Sequence, residues 1–140
     1  MVIPYLNAEN EYAKLVMSST ESLQQKIFNE IKLRINEEDQ SAPVYYNGYY
    51  YYTRTEKGKQ YRFYCRKKGS LSSVEELLFD VNVLADGKSA FLFAGYEVSP
   101  DNKYAAWLSN DTGSYADFNL KVRDLENDQD IAGFEVQKVQ

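Results

Sequence analysis

Histidine is absent from the 140 residues. Neither a Ser–His–Asp nor a Cys–His relay can be assembled within the chain, because each needs an imidazole to take the nucleophile's proton. Imidazole metal ligation is excluded with it, and no Gly-x-Ser-x-Gly elbow occurs. Gly87–Lys88–Ser89 ends as a phosphate-binding loop ends, yet Asn82 stands where the first glycine of that motif belongs. No apolar strand leads into it, so the segment reads as a connection. Asp124, Glu126, Asp128 and Asp130 alternate as calcium ligands do. The glycine for the sharp bend and the closing bidentate Glu are both missing, and a solvated turn is the reading that remains. Cys65 is the single cysteine, so no internal disulfide or thiolate metal site can form; it reads as a buried strand residue. The expectation is no catalytic, cofactor-binding or metal residue in this chain, and no cofactor.

Three other patterns invite a binding role. Tyr45–Tyr46 and Tyr49 to Tyr52 could form a stacking platform for sugars, but alternation puts Tyr49 and Tyr51 on one sheet face and Tyr50 and Tyr52 on the other. Packing between sheets uses both faces and is preferred. The basic run Lys57, Lys59, Arg62, Arg66 and Lys68, interleaved with Tyr61, Phe63 and Tyr64, could be a nucleic-acid strip. A net charge of −5 argues instead for the solvated side of a hairpin and no nucleic-acid partner. Asn110–Asp111–Thr112 is a glycosylation triplet without a secretion signal to give it meaning. No apolar run approaches the ~18 residues of a membrane span, so no membrane partner is expected. One cysteine and no leader point to a cytoplasmic protein.

The elements that would carry these residues fall into two kinds. Tyr5, Ala8, Tyr12, Leu15 and Val16 lie on one helical face, with Pro4 in the first turn. Ser18 and Glu21 have capping-box spacing and predict a second start. The second helix presents Leu23, Ile27, Ile31 and Ile35 as one i, i+4 stripe. After the polar hinge Glu37–Ser41 and Pro43 the period becomes that of strands. Strands are predicted at 49–53, 61–66, 76–79, 91–98, 104–108, 118–125 and 131–139, with a helical turn or loop over 80–87. Thirteen Tyr and seven Phe against one Trp suit a sheet protein.

The strands repeat. Tyr49 matches Tyr104, and Tyr61, Phe63, Cys65 and Arg66 match Phe118, Leu120, Val122 and Arg123, at an offset of about 55 to 57 residues, a little above the ~40–50 of propeller repeats. The expected fold is mainly β with an N-terminal helical hairpin: an arm over 1–40 and, over 41–140, about two blades of a β-propeller. Two blades leave a broad apolar face bare, which predicts an incomplete piece or a homo-oligomer.

Several segments resemble oligopeptidase B (protease II), of the prolyl oligopeptidase family of serine peptidases. They are Tyr5–Tyr12 (YLNAENEY), the helix Leu23–Ile35, Tyr50–Ser70 (YYYTRTEKGKQYRFYCRKKGS), Glu97–Asp101 (EVSPD) and Leu120–Glu126 (LKVRDLE). The resemblance implies a seven-bladed propeller that caps an α/β-hydrolase domain, admits small peptides and belongs to an enzyme cleaving after Arg or Lys. The triad and the acidic specificity groups of the family would lie beyond Gln140, so no catalytic role transfers to this chain. The partner implied is the hydrolase domain, for which the Leu23–Ile35 stripe is a candidate docking face. The alternative is a free-standing propeller-like interaction module.

Overall fold

The computed structural model describes residues 2–114 and 116–139. Two compact units divide between Asn36 and Glu37. In the first, α1 (Val2–Met17) passes through a single 3-10 turn, Ser18–Thr20, into α2 (Glu21–Arg34). The expected capping box does not form. The Ser18 hydroxyl donates to the Leu15 carbonyl at 2.7 Å and the Thr20 hydroxyl to that of Met17 at 2.7 Å. Both are thereby spent on the preceding turn, the usual competing bond for these side chains within a helix. Thr20 begins α2 in a helical conformation without any side-chain cap. Neither helix buries a residue, and Leu23, Ile27, Ile31 and Ile35 are all exposed.

The second unit holds two antiparallel sheets. The first has β1 (Val44–Tyr46), β2 (Tyr49–Arg54), β3 (Phe63–Lys68) and β4 (Glu75–Asp80) in sequence order. β1 and its turn both escape the sequence pattern. Asn47 (φ 46°) and Gly48 (φ 87°) make the two-residue link whose twist suits a hairpin and whose backbone few other residues tolerate. A short helical turn, α3 (Val81–Leu84), follows β4; the Asp80 carboxylate caps it by accepting from the Asn82 amide at 2.9 Å.

The second sheet has β5 (Leu92–Val98), β6 (Tyr104–Asn110) and β7 (Phe118–Asp124) as its full strands. Of the strand expected over 131–139 only the end forms, and a short strand precedes that range. β8 (Gln129–Asp130) pairs with Arg123 and Asp124, and β9 (Val136–Val139) with Phe118 to Leu120. Between them the chain turns through Gly133 at φ 86°, where a strand cannot continue.

The two sheets share an aromatic core. Phe79 and Ala105 have no exposed surface, with Leu78 and Trp107 beside them and Tyr51, Tyr64, Phe93 and Tyr96 packed around. The Trp107 ring lies 5.7 Å from Phe79 and stacks on Phe93 at 5.9 Å. Each such pair adds about 0.5–1.5 kcal/mol to the transfer energy of the buried rings. Tyr52, Phe63 and Cys65 form a separate cluster on the other face of the first sheet. The fold is therefore helical at the start and then antiparallel sheet, as the sequence indicates.

Candidate functional site

The best-organised polar region is the joint between the sheets. Arg66, on β3, is buried, and its Nε donates to Glu76 Oε2 on β4 at 2.7 Å. Its guanidinium lies over the Tyr49 ring at 4.1 Å and reaches the Asn102 carbonyl of the second sheet at 3.5 Å. Arg123 is its counterpart on β7. It is held by Asp130 at 3.1 Å and Asp128 at 3.3 Å, lies 5.0 Å from the Phe79 ring and donates to the Leu78 carbonyl of the first sheet at 3.3 Å. Each sheet thus sends one arginine across to the other's backbone. A guanidinium suits the task because its flat donors can stack on rings while bonding edgewise.

The turns complete the joint. Asn47 donates to the Pro100 carbonyl at 2.8 Å, and Asn102 returns a bond to the Asn47 carbonyl at 3.3 Å. Both asparagines sit at positive φ, and the Tyr51 hydroxyl reaches Asn102 Oδ1 at 3.4 Å. This repeated, cross-braced stacking of meanders is the arrangement of adjacent propeller blades. A family profile described as the N-terminal β-propeller domain of prolyl oligopeptidase matches residues 2–138. The chain belongs to that family.

Dipeptidyl aminopeptidase BI of Pseudoxanthomonas mexicana is 32% identical over 89% of this chain, and Protease 2 of Moraxella lacunata 27% identical over 89%. Oligopeptidase B of Leishmania major superimposes with a TM-score of 0.81 at 31% identity over 97% of the chain. The chain spans 19% of the length of each of these relatives. The likeness to oligopeptidase B stands, and the two sheets are two blades of the family's propeller.

Within the propeller piece the sequence candidates disperse. The Lys88 ammonium pairs with Asp111 at 3.2 Å and lies over Phe91 at 4.6 Å, which is the role of a connection rather than a phosphate cradle. Asp124 folds onto its own turn, accepting from the Glu126 and Asn127 amides, while Asp128 and Asp130 serve Arg123. No group of three or more candidate metal ligands is found among the described residues. The Asn110 side chain is buried, donating to the Ser114 carbonyl and accepting from the Thr112 amide. Its amide nitrogen is thus engaged. No helix among the described residues is long and apolar enough to cross a membrane.

The tyrosine run and the basic run are also taken apart by alternation. Tyr49 and Tyr51 turn towards the second sheet, Tyr52 away from it, and Tyr45 and Tyr50 meet at 4.8 Å. Arg66 is buried in the joint, whereas Lys57, Lys59 and Arg62 occupy the exposed β2–β3 loop. Cys65 is fully buried, and burial pushes its thiol up to about 11. It is protonated at neutral pH and a poor nucleophile.

On that same outer face, Tyr52 donates its hydroxyl to Glu75, and Arg54 Nε reaches Glu75 at 3.1 Å. Burial works to raise the Glu75 carboxyl, but these donated bonds outweigh it and hold the group below the usual carboxylate range. The Arg54 guanidinium in turn covers the Phe63 ring at 4.4 Å. Sequence reading missed this lid. The alternation of Arg54 with Tyr52, at the end of the same strand, was the available signal.

Proposed function

We propose that this chain is the non-catalytic front part of a serine oligopeptidase resembling oligopeptidase B. In this reading the helical arm and first two blades help build the gating propeller of a cytoplasmic enzyme that cleaves short peptides after Arg or Lys. The observation that carries it is the cross-braced pair of blades in a chain without an imidazole. The scaffold is specific, while the proton-transfer group of a serine peptidase is missing. The exposed stripe Leu23, Ile27, Ile31 and Ile35 then docks on the hydrolase domain, burying apolar area that the arm alone leaves in water.

Two assays test this. The 140-residue chain is expected to leave Arg- and Lys-containing peptides intact, and the longer protein carrying it to cleave them after the basic residue. Turnover by the purified short chain that survives repurification would refute the reading. In the longer protein, Ile31→Asp is expected to lower activity and assembly together; an unaltered enzyme would remove the docking role of the stripe.

A second reading has one observation in its favour. The outer face of the first blade is already covered by Arg54, Lys67 and Glu75, as a free-standing interaction module would need. Cooperative unfolding of a monomeric short chain would favour that module. Association through the second blade would favour the first reading.

A further inference from the structure

We propose that the rim of the first blade carries a binding site for the C-terminal end of an extended peptide whose last side chain is a large apolar one. A cleft of about 260 Å³ opens there, walled by Tyr61, Tyr64, Phe91 and Phe93, floored by Val81 and edged by Arg62. Its walls are held in advance of any ligand. The Asn82 side chain clasps the Tyr61 backbone from both sides, accepting from its amide at 2.9 Å and donating to its carbonyl at 3.0 Å. Asn82 is itself tied to Asp80 at 3.1 Å, and the Tyr61 hydroxyl reaches the Phe91 carbonyl at 3.4 Å. A wall bonded in this way loses little freedom when a ligand enters.

Charge decides the occupant. Arg62 is exposed and its side chain has no ion pair or hydrogen bond among the described residues, whereas Arg54, Arg66 and Arg123 are all engaged. Lys88, the other cation near Phe91, is neutralised by Asp111. Sheet architecture does not ask for a cation at Arg62, since the matching place after Phe118 in the second blade is Asn119. A planar, unpaired guanidinium at the mouth of an aromatic cleft suits a carboxylate one residue's reach from an apolar side chain, bound edge to edge. Arg62 also edges a neighbouring cleft lined by Asp39, Gln40, Ser41, Thr53, Arg54 and Thr55, whose Asp39 carboxylate and Arg54 guanidinium balance in charge and which offers the preceding peptide unit polar surroundings.

The test is amide-shift titration of the 140-residue chain with acetyl-Ser-Phe, its C-terminal amide and 3-phenylpropionate. Saturable shifts are expected at residues 61–64 and 91–93 with the free acid, and binding about ten-fold weaker with the amide, the usual scale for losing one charge-assisted bond. Arg62→Gln, a change at an exposed side chain, is expected to keep the spectrum's dispersion and bind acid and amide alike; Arg62→Lys should recover part of the difference. Three results would each overturn the assignment: no saturable shift, shifts centred elsewhere, or an Arg62→Gln chain that still prefers the acid. Phenylpropionate binding as tightly as the peptide would replace the peptide terminus with a free aromatic acid, and so overturn the proposed occupant.

Discussion

The outer faces of the two blades differ in chemistry although both sheets are antiparallel meanders with the same side-chain period. On the first, Tyr52, Phe63 and Cys65 form an apolar floor, and Arg54, Lys67 and Glu75 close over it. On the second, Ala106, Leu108, Leu120 and Val122 lie in two facing rows on the side away from the first blade. They are half-buried; Glu97 stands opposite Ala106 on β5 and Asp124 ends the β7 row opposite Tyr104, but no cation among the described residues stands opposite them. A floor of large rings gives long cations something to lie on, since guanidinium and ammonium groups bind ring faces. Short aliphatic residues offer no such purchase. One face is ready for water, and the other asks for a further apolar layer.

The largest expected effect comes from emptying the covered floor. Phe63→Ala should cost roughly 3–5 kcal/mol, enough to unfold a marginal domain, by loss of transfer energy and creation of a cavity. Leu120→Ala, on the uncovered face, should cost only about 1 kcal/mol because part of its surface is already in water. Urea unfolding of the two variants measures the contrast, and equal losses would erase it.

Leu120→Lys sharpens it further: light scattering should show the concentration-dependent association of the short chain falling, while Glu75→Gln leaves association as it was. A smaller effect concerns acid. A depressed carboxyl contributes stability that is complete above the unfolded carboxylate value, about 4.3, and is lost as pH falls through the folded one. Glu75→Gln should therefore flatten the fall in melting temperature below about pH 4.3.

Smallest is the alkaline counterpart at Cys65. Its thiol, raised to about 11, favours the folded state fully below its unfolded value and loses that advantage as pH climbs through about 11. Cys65→Ala should soften unfolding between about pH 8.5 and that point. Alkylation of Cys65 at neutral pH should proceed only at the rate at which the sheet opens.

Much of this was legible in the residues. Stacked blades repeat by rotation, so the joint side of the first corresponds to the far side of the second. Tyr49 and Tyr104 meet that rule, Tyr49 turning into the joint and Tyr104 away from it. The pairs Phe63 with Leu120, Cys65 with Val122 and Arg66 with Arg123 do not, since both arginines turn into the joint and both apolar pairs away from it. Bulges between Tyr64 and Cys65 and between Phe93 and Gly95 shift facing from strand to strand, so one repeat offset cannot serve all of them. Nor could spacing tell that the Ser18 hydroxyl would prefer the Leu15 carbonyl behind it to the amides ahead, since the two bonds compete at similar energy. The lid over the first blade depends on Arg54 reaching Glu75, twenty-one positions on. Such partnerships arise only once strands are in register.

The exchange between Asn47 and the Ser99–Asn102 turn has a consequence for the chain as it is made. The Asn47 hairpin tip lacks its full set of partners until the Ser99–Asn102 turn has emerged, about 55 residues later. At ribosomal speeds of ~5–20 residues per second, that is a wait of several seconds. During it the first meander must persist without its brace, its Phe79 side uncovered, at the point in synthesis where a chaperone would find it easiest to hold.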